Sequence, residues 1–248
     1  MIIERHSPSS LNLFCASPSM WVLEKILKVR QPVGAPAFRG TGVEDGVTVG
    51  LLDPNASLES CIEAALKKYD TISALSGDAR REKYRETIPD MVTGALAELR
   101  PYGVPSKVQG FVEWKPEGLQ YPVVGYFDYE WAQHGIIVDL KTSDKLTSAI
   151  KIPHARQVAL YCTSDNTDAR LTYATPTKKT PGAKSVATYK LENIRDHRQA
   201  LFQIAVRLER FLTLSEDPEF YTQITVPDLE SFYWSGPARQ IAFDRWGI

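Results

Sequence analysis

The sequence predicts an α/β fold in which a central mixed β-sheet is flanked by helices. Helical patterns occupy the first hundred residues, five strand-like segments interrupted by one short helix follow, and an amphipathic helix comes next. That order fits an α/β or an α+β domain. At 248 residues and 43% hydrophobic content the chain can bury a sizeable core. Without a repeat or linker, we expect one domain over 1–248, with its core at about 7–191 and a C-terminal helix and tail at 193–248.

The first hundred residues are predicted from caps and apolar spacing. A helix within 7–30 is expected to be capped by Ser9 or Ser10, with a second start after Pro18. The glycine- and proline-rich stretch 34–42 predicts a loop, and Glu44 is expected to open a helix that runs toward Leu52. Helical spacing then recurs at 58–69 and 87–100, separated by a charged, exposed segment.

Strands dominate the next part of the chain. They are predicted at 107–114, 121–131, 136–142, 169–175 and 185–191, with a helix at about 153–163 between the third and fourth. The clearest helix of the chain is predicted at 193–214, because its apolar residues lie on one face.

The segment GYFDYEWAQHGIIVDLKTSDK predicts a β-hairpin with two facing acids. A turn at Ala132–Gly135 places Asp128 directly opposite Asp139, with their Cβ atoms about 4.5–5.5 Å apart. The apolar residues alternate onto the other face, listed as Phe127, Tyr129, Trp131, Ile136, Val138 and Leu140. Facing carboxylates repel each other unless a divalent cation lies between them. Lys141 shares their face and could orient a water, although an ordinary exposed Asp–Lys pair stays an alternative.

These residues resemble the motifs of the PD-(D/E)xK nuclease superfamily, and specifically its RecB-like or phage-type exonuclease branch. Five segments are similar to that branch in order: SPSSLNLFCASPSMW, RGTGVEDGV, GYFD, IIVDLKTS and HARQVALY. Together they span roughly Ser7 to Tyr161. The resemblance implies a restriction-endonuclease-like core, hydrolysis of DNA phosphodiester bonds and dependence on Mg²⁺ or Mn²⁺.

The resemblance also implies roles for individual residues. Asp128, Asp139 and the carbonyl of Leu140 would be metal ligands, and Lys141 the catalytic lysine. Glu44 stands where the family usually has histidine, and as a hard oxygen ligand it suits Mg²⁺ or Mn²⁺. Whether Glu44 or Asp45 points inward stays open. The alternative that Glu44 is only an exposed acid near the N-terminus of a helix also stays open.

Further residues are implied to support the site or to contact DNA. In the family, the helix that carries Gln157 and Tyr161 borders the active site. The basic candidates for DNA contact are Lys151, Arg156, Lys178, Lys179 and Lys184, although each could equally be a solubility residue. Glu113 is either a supporting acid or a solvated strand residue.

Composition limits the other function classes. A net charge of −1 gives no general signal of a polyanion partner, and three dispersed cysteines fit a reducing compartment. Neither a signal peptide nor a membrane span is expected, so we predict a cytoplasmic protein, in the host cytoplasm if it is viral. The absence of a P-loop predicts no nucleotide cofactor, and the lack of a late cysteine group predicts no iron–sulfur cluster of the kind that some branch members carry.

The hypothesis from sequence is therefore a Mg²⁺- or Mn²⁺-dependent deoxyribonuclease, an exonuclease acting on linear DNA ends, single- or double-stranded. Recombination, repair or phage DNA processing is the expected setting, with a recombination protein or a homo-oligomer as the partner. Two alternatives are kept: a structure-selective endonuclease of the same fold, and a non-catalytic nuclease-fold DNA-binding subunit.

Overall fold

The computed structural model describes residues 3–164, 167–177 and 182–248. The chain divides into two compact units. The terminal unit comprises Met1–Gln31, Glu113–Gly125 and Arg195–Ile248, and the central unit comprises Pro32–Val112 and Tyr126–Ile194. The assignment of 1–248 to one nuclease domain stays a prediction.

Helices and one five-stranded sheet build these units. The helices are α1 (Pro8–Ala16), α2 (Pro18–Trp21), α3 (Ala35–Leu52), α4 (Leu58–Ser73), α5 (Arg81–Arg85), α6 (Ile88–Leu99), α7 (Ile152–Tyr161), α8 (Ile194–Leu212), α9 (Phe220–Gln223) and α10 (Pro237–Trp246). The strands are β1 (Lys107–Trp114), β2 (Val123–Trp131), β3 (Ile136–Thr142), β4 (Asp168–Ala174) and β5 (Val186–Lys190), adjacent in that order. The β3–β4 pair is parallel, whereas β2–β3 and β4–β5 are antiparallel, so the predicted mixed sheet with helices is confirmed.

The loop predicted at 34–42 is wrong, because α3 already begins at Ala35. Pro36 occupies the first turn, where a missing N–H costs nothing, and Asp78 Oδ2 accepts the Ala35 N–H at 2.8 Å. Gly42 of this segment, and Gly46 and Gly50 further along α3, lie on the face that contacts α4 and allow close helix packing. Glu44 therefore lies in the middle of a long helix, not at its start.

The N-terminal cap is also one turn earlier than predicted. Ser7, not Ser9 or Ser10, caps α1, and its hydroxyl accepts the Ser10 N–H at 3.2 Å. The second start at Pro18 is confirmed. A π-helical turn, Val22–Ile26, follows α2 directly.

The hairpin register matches the prediction. Tyr129 pairs with Val138 and Trp131 with Ile136, across a 3-10 turn that ends at Gly135 with φ of 65°. A left-handed residue is needed there, and glycine adopts that conformation without a Cβ clash.

The core of the central unit forms between the sheet and α3, α4 and α6. Tyr129, Trp131, Val138 and Leu140 project into it, as the alternation predicted. Phe127 is the exception, because its ring lies over Gly110 and meets Tyr161 of α7, with 6.1 Å between centroids. Regular pairing of β2 with β3 ends at Tyr129, which frees the preceding residues to depart from strict alternation.

The terminal unit has a core of its own. Met20, Leu23, Trp234, Ala238 and Ala242 pack together in it. A buried polar contact joins His6 to Glu209 at 3.0 Å, and the same carboxylate accepts backbone N–H groups from the segment 120–121. Within the described part of the chain, no helix is long and apolar enough to cross a membrane.

The contact between α3 and α4 supplies a stability prediction. A Cβ at Gly46 would lie 2.7 Å from Ala65 Cβ and would also clash with the Cys61 carbonyl oxygen. We expect Gly46→Ala to lower the free energy of unfolding by about 1–3 kcal/mol, because the two helices must move apart. Chemical denaturation measures this value.

The matched control is Gly40→Ala on the same helix. There a Cβ meets only Thr142 Oγ1, at 3.4 Å. Alanine restricts the unfolded chain and favours the helix, so the variant should be unchanged or stabilised by about 0.5–1 kcal/mol. Equal losses in both variants would contradict the close-packing account of the α3 glycines.

Candidate active site

Asp128 lies at the point where the β2–β3 ladder ends. The next expected pair would be Asp128 with Asp139, but regular pairing stops at Tyr129. Instead, the side chain of Asp128 contacts β3, because its Oδ2 accepts the Leu140 N–H at 2.7 Å. Only 8% of Asp128 is exposed. Its position is therefore fixed by β3 rather than by solvent.

Asp139 is fully buried beside Lys141. Its Oδ2 lies 2.5 Å from Lys141 Nζ, a close charge contact without regular hydrogen-bond geometry. Its Oδ1 has no hydrogen-bond partner among the described residues. A buried carboxylate oxygen without a donor is costly, which indicates that a further positive group belongs there.

Glu44 reaches the same site from α3. Gln109 of β1 donates from Nε2 to Glu44 Oε1, and the same nitrogen lies 3.4 Å from Asp128 Oδ1. Asp45, the next residue, lies 4.0 Å from Lys68 of α4 instead. The structure thus directs Glu44, and not Asp45, toward Asp128.

Gln109 is a site residue that the sequence reasoning missed. Its φ of 52° is left-handed, which is rare for a residue with a Cβ and often accompanies a functional site. The residue with this backbone conformation is the one whose side-chain amide bridges the carboxylates of Glu44 and Asp128. The only signal in the sequence is that Gln109 belongs to the strand before the hairpin.

The carboxylates perturb one another strongly. Burial raises the pKa of Asp128 well above its usual value, and the charges of Asp139 and Glu44 raise it further. Burial also raises the pKa of Glu44, partly offset by the Lys141 charge. A cation among these acids would reverse the effect, because it favours their charged forms.

Lys141 stays charged in this setting. Burial alone would lower its pKa, but Asp139 and Asp128 outweigh burial and raise it. The residue thus contributes a fixed positive charge among the acids. That charge suits stabilisation of developing negative charge on a phosphate better than it suits proton abstraction.

One face of α7 lines the opposite side of the site. Gln157 Nε2 donates to the Tyr161 hydroxyl at 2.8 Å, and burial, followed by the charge of Asp139, raises the pKa of Tyr161. His154 Nδ1 lies 2.8 Å from the Tyr173 hydroxyl. Burial, then the charges of Lys141 and Lys151, lower the pKa of His154 to about 4, so its imidazole is neutral at pH 7.

A second missed group anchors the segment that follows β3. Arg39 is 2% exposed and donates to Asp144 Oδ1 at 2.8 Å, and its guanidinium lies 4.6 Å from the Tyr84 ring centroid. The Tyr84 hydroxyl donates to Asp144 Oδ2 at 3.1 Å. Since Asp144 lies three residues after Lys141, this contact ties α3 to the end of the lysine-bearing strand.

The basic residues predicted to contact DNA, together with Glu113, lie at different places in the chain. Lys151 is exposed just before α7, and Arg156 is half-buried on that helix. Lys178 and Lys179 lie outside the described residues. Glu113 is exposed and belongs to the terminal unit.

The donor set fits a hard divalent cation. No three Asp, Glu, His or Cys side chains among the described residues are gathered as a ready metal group, because Gln109 and Lys141 contact the carboxylates instead. The oxygens of Glu44, Asp128 and Asp139 are nevertheless the ligand type that Mg²⁺ and Mn²⁺ take, and Asp139 Oδ1 has no hydrogen-bond partner in the part of the chain that the structure describes. Lys141 supplies one positive charge, and the neutral Gln109 amide supplies a hydrogen-bond donor, so the charge of the acids is only partly compensated.

Comparisons with known proteins bear on the family of the chain. No curated protein sequence matches the chain. The crystal structure of SSO0001 aligns with 84% of this chain and 92% of its own at 15% identity, with a TM-score of 0.37. The sequence model described as the PD-(D/E)XK nuclease superfamily matches residues 5–222, most of the chain, and agrees with the restriction-endonuclease-like core. The chain belongs to the PD-(D/E)XK nuclease superfamily.

Proposed function

We propose that this nuclease is a Mg²⁺- or Mn²⁺-dependent deoxyribonuclease that degrades DNA from its ends. The observation that supports the proposal is a chain of contacts: Gln109 contacts Glu44 and Asp128, Asp128 accepts the Leu140 N–H, and the neighbouring Asp139 contacts Lys141. Exonuclease activity, and a role in recombination, repair or phage DNA processing, rest on the similarity to the RecB-like branch.

Each acid has a proposed role as a metal ligand. Asp128, Asp139 and Glu44 would supply carboxylate oxygens, and Leu140 its backbone carbonyl. When bound, the ion would lower the pKa of the attacking water and screen the charge of the phosphodiester.

The other residues position the substrate or the acids. Lys141 would face the scissile phosphate and stabilise the negative charge that develops on it. Gln109 would hold Glu44 and Asp128 through its amide, a supporting contact of the kind that orients ligands. Gln157 and Tyr161 would keep the α7 side in place.

The proposed substrate is linear DNA in the cytoplasm, with a recombination protein or a second copy of the chain as the partner. A structure-selective endonuclease of the same fold would differ from this proposal because it would not need a DNA end. A time course on end-labelled linear DNA, compared with a closed circle of the same sequence, separates the two. Digestion of the circle at the same rate would contradict the exonuclease assignment.

The first prediction concerns the hairpin residues. Asp139→Asn and Lys141→Ala should each lower DNA hydrolysis at least about a hundredfold, because each removes a charge that stabilises the reacting phosphate or its cation. The circular dichroism spectrum should stay that of a folded protein. Asp45→Asn is the matched control and should keep full activity, since Asp45 points toward Lys68. A folded Asp139→Asn or Lys141→Ala protein with normal digestion would refute the proposed mechanism.

The second prediction concerns metal binding without catalysis. Mn²⁺ should raise the free energy of unfolding, by about 2.7 kcal/mol at a concentration of 100 times Kd. If Glu44→Gln weakens the affinity tenfold, that gain falls by about 1.3 kcal/mol at the same Mn²⁺ concentration. Thermal denaturation against Mn²⁺ concentration measures both. Asp45→Asn should respond as the wild type, and an equal response from Glu44→Gln would exclude Glu44 as a ligand.

The third prediction tests the missed amide. Gln109→Ala should weaken Mn²⁺ binding about tenfold, because the Glu44 and Asp128 carboxylates lose the donor that orients them. Calorimetric titration of the protein without DNA gives the affinity. Gln133→Ala is the control, since that amide donates to the Val104 carbonyl in an exposed turn. Matching affinities for the two variants would leave Gln109 no role in the site.

A further inference from the structure

An exposed aromatic pair lies beside the candidate active site on β1 and β2. The rings of Phe111 and Tyr126 have centroids 5.3 Å apart and planes inclined by 55°. Phe111 is 46% exposed and Tyr126 is 52% exposed. Both residues belong to the central unit, as do all the candidate catalytic residues.

The alternation of β1 places Phe111 on the face of Gln109. Gln109 lies near Asp128, Gly110 lies under the Phe127 ring, and Phe111 meets Tyr126, so the two strands run in opposite directions through three successive rows. Along β1, Gln109 and Phe111 are exposed on either side of the buried Gly110. Phe111 therefore shares the face of Gln109, the residue that contacts Asp128.

The separation between these rows is short. Two residues along a strand span about 6.6–6.8 Å. A DNA strand whose phosphate lies at Asp128 and Lys141 would thus bring a neighbouring base within reach of the rings. Exposed aromatic faces bind unpaired bases by stacking, and they do so with little dependence on sequence.

From this placement we propose that Phe111 and Tyr126 form a stacking platform for an unpaired nucleobase next to the scissile phosphate. This inference rests on the proposed nuclease function and adds a substrate class, DNA with single-stranded ends. A paired base inside a blunt duplex keeps its faces covered by its neighbours and cannot use the platform. The platform therefore favours single strands and overhangs over blunt duplexes.

Binding by the intact chain tests the platform, with Asp139→Asn as the background so that the DNA survives. The probe is a single-stranded oligonucleotide that contains one 2-aminopurine, compared with a blunt duplex of the same sequence. Adding Phe111→Leu and Tyr126→Leu keeps apolar contact across the strands but removes both rings. We expect Kd for the single strand to rise at least fivefold, which corresponds to about 1 kcal/mol, and Kd for the duplex to change less than twofold. The change in 2-aminopurine fluorescence on binding should be lost as well.

The matched control is Phe232→Leu in the terminal unit. Phe232 is 76% exposed and lies against Tyr233 with ring centroids 4.1 Å apart, so it is a comparable ring pair outside the central unit. It should bind the single strand as the background protein does. Tyr126→Trp supplies the conservative replacement, because a larger ring stacks at least as well, and it should keep the affinity. If the double leucine variant fails to fold, the two single leucine variants carry the same expectation.

Two negative outcomes are distinguishable. If the background protein binds DNA and the leucine variants bind the single strand equally well, the platform is refuted while the nuclease proposal stands. If the background protein binds neither form of DNA, the proposed function fails and the platform fails with it.

Discussion

The repulsion among buried acids is the constraint on which the arrangement of the central unit depends. Asp139 is fully buried and Asp128 nearly so. Burial raises the pKa of Asp128 and that of Glu44, and the charge of Asp139 raises both further. Such a cluster destabilises a fold unless positive groups compensate it. The structure provides a charged Lys141, the Gln109 amide and the Leu140 N–H, yet no donor among residues 3–164, 167–177 and 182–248 reaches Asp139 Oδ1. The cation proposed for this site would complete that compensation.

The packing of α3 explains how a residue some eighty positions upstream reaches the hairpin. Glycines let α3 lie close against α4, and Arg39 anchors it to Asp144 beyond the end of β3. The Tyr129 hydroxyl also donates to the Glu44 carbonyl oxygen, at 3.2 Å, so the hairpin and the helix are joined at the backbone of the acid itself. The contact between α3 and α4 and the geometry of the site therefore depend on the same helix.

Sequence patterns predicted the parts of the fold that depend on local periodicity. The register of Tyr129 with Val138 follows from a four-residue turn and alternation, and β1 and β3 were predicted to the residue. The failures have tertiary causes. A glycine-rich sequence is typical of a loop, and only the contact with α4 explains why α3 contains its glycines. Phe127 departs from its expected face where the pairing of β2 with β3 has ended. The left-handed φ of Gln109 is set by its surroundings, since nothing in VQG requires it.

The distortion at Gln109 joins the chemistry of the acids to the surface beside them. β1 is the edge strand of the sheet, and an edge strand can accept an irregular residue without breaking a ladder on both sides. With φ at 52°, Gln109 reaches Glu44 and Asp128, and two residues later Phe111 meets Tyr126 on the same face. A regular strand built for stability would avoid the strained backbone and would cover the two rings. Both departures occur within one stretch of β1, next to the acids whose charges also disfavour folding, and the DNA substrate proposed above would account for all three.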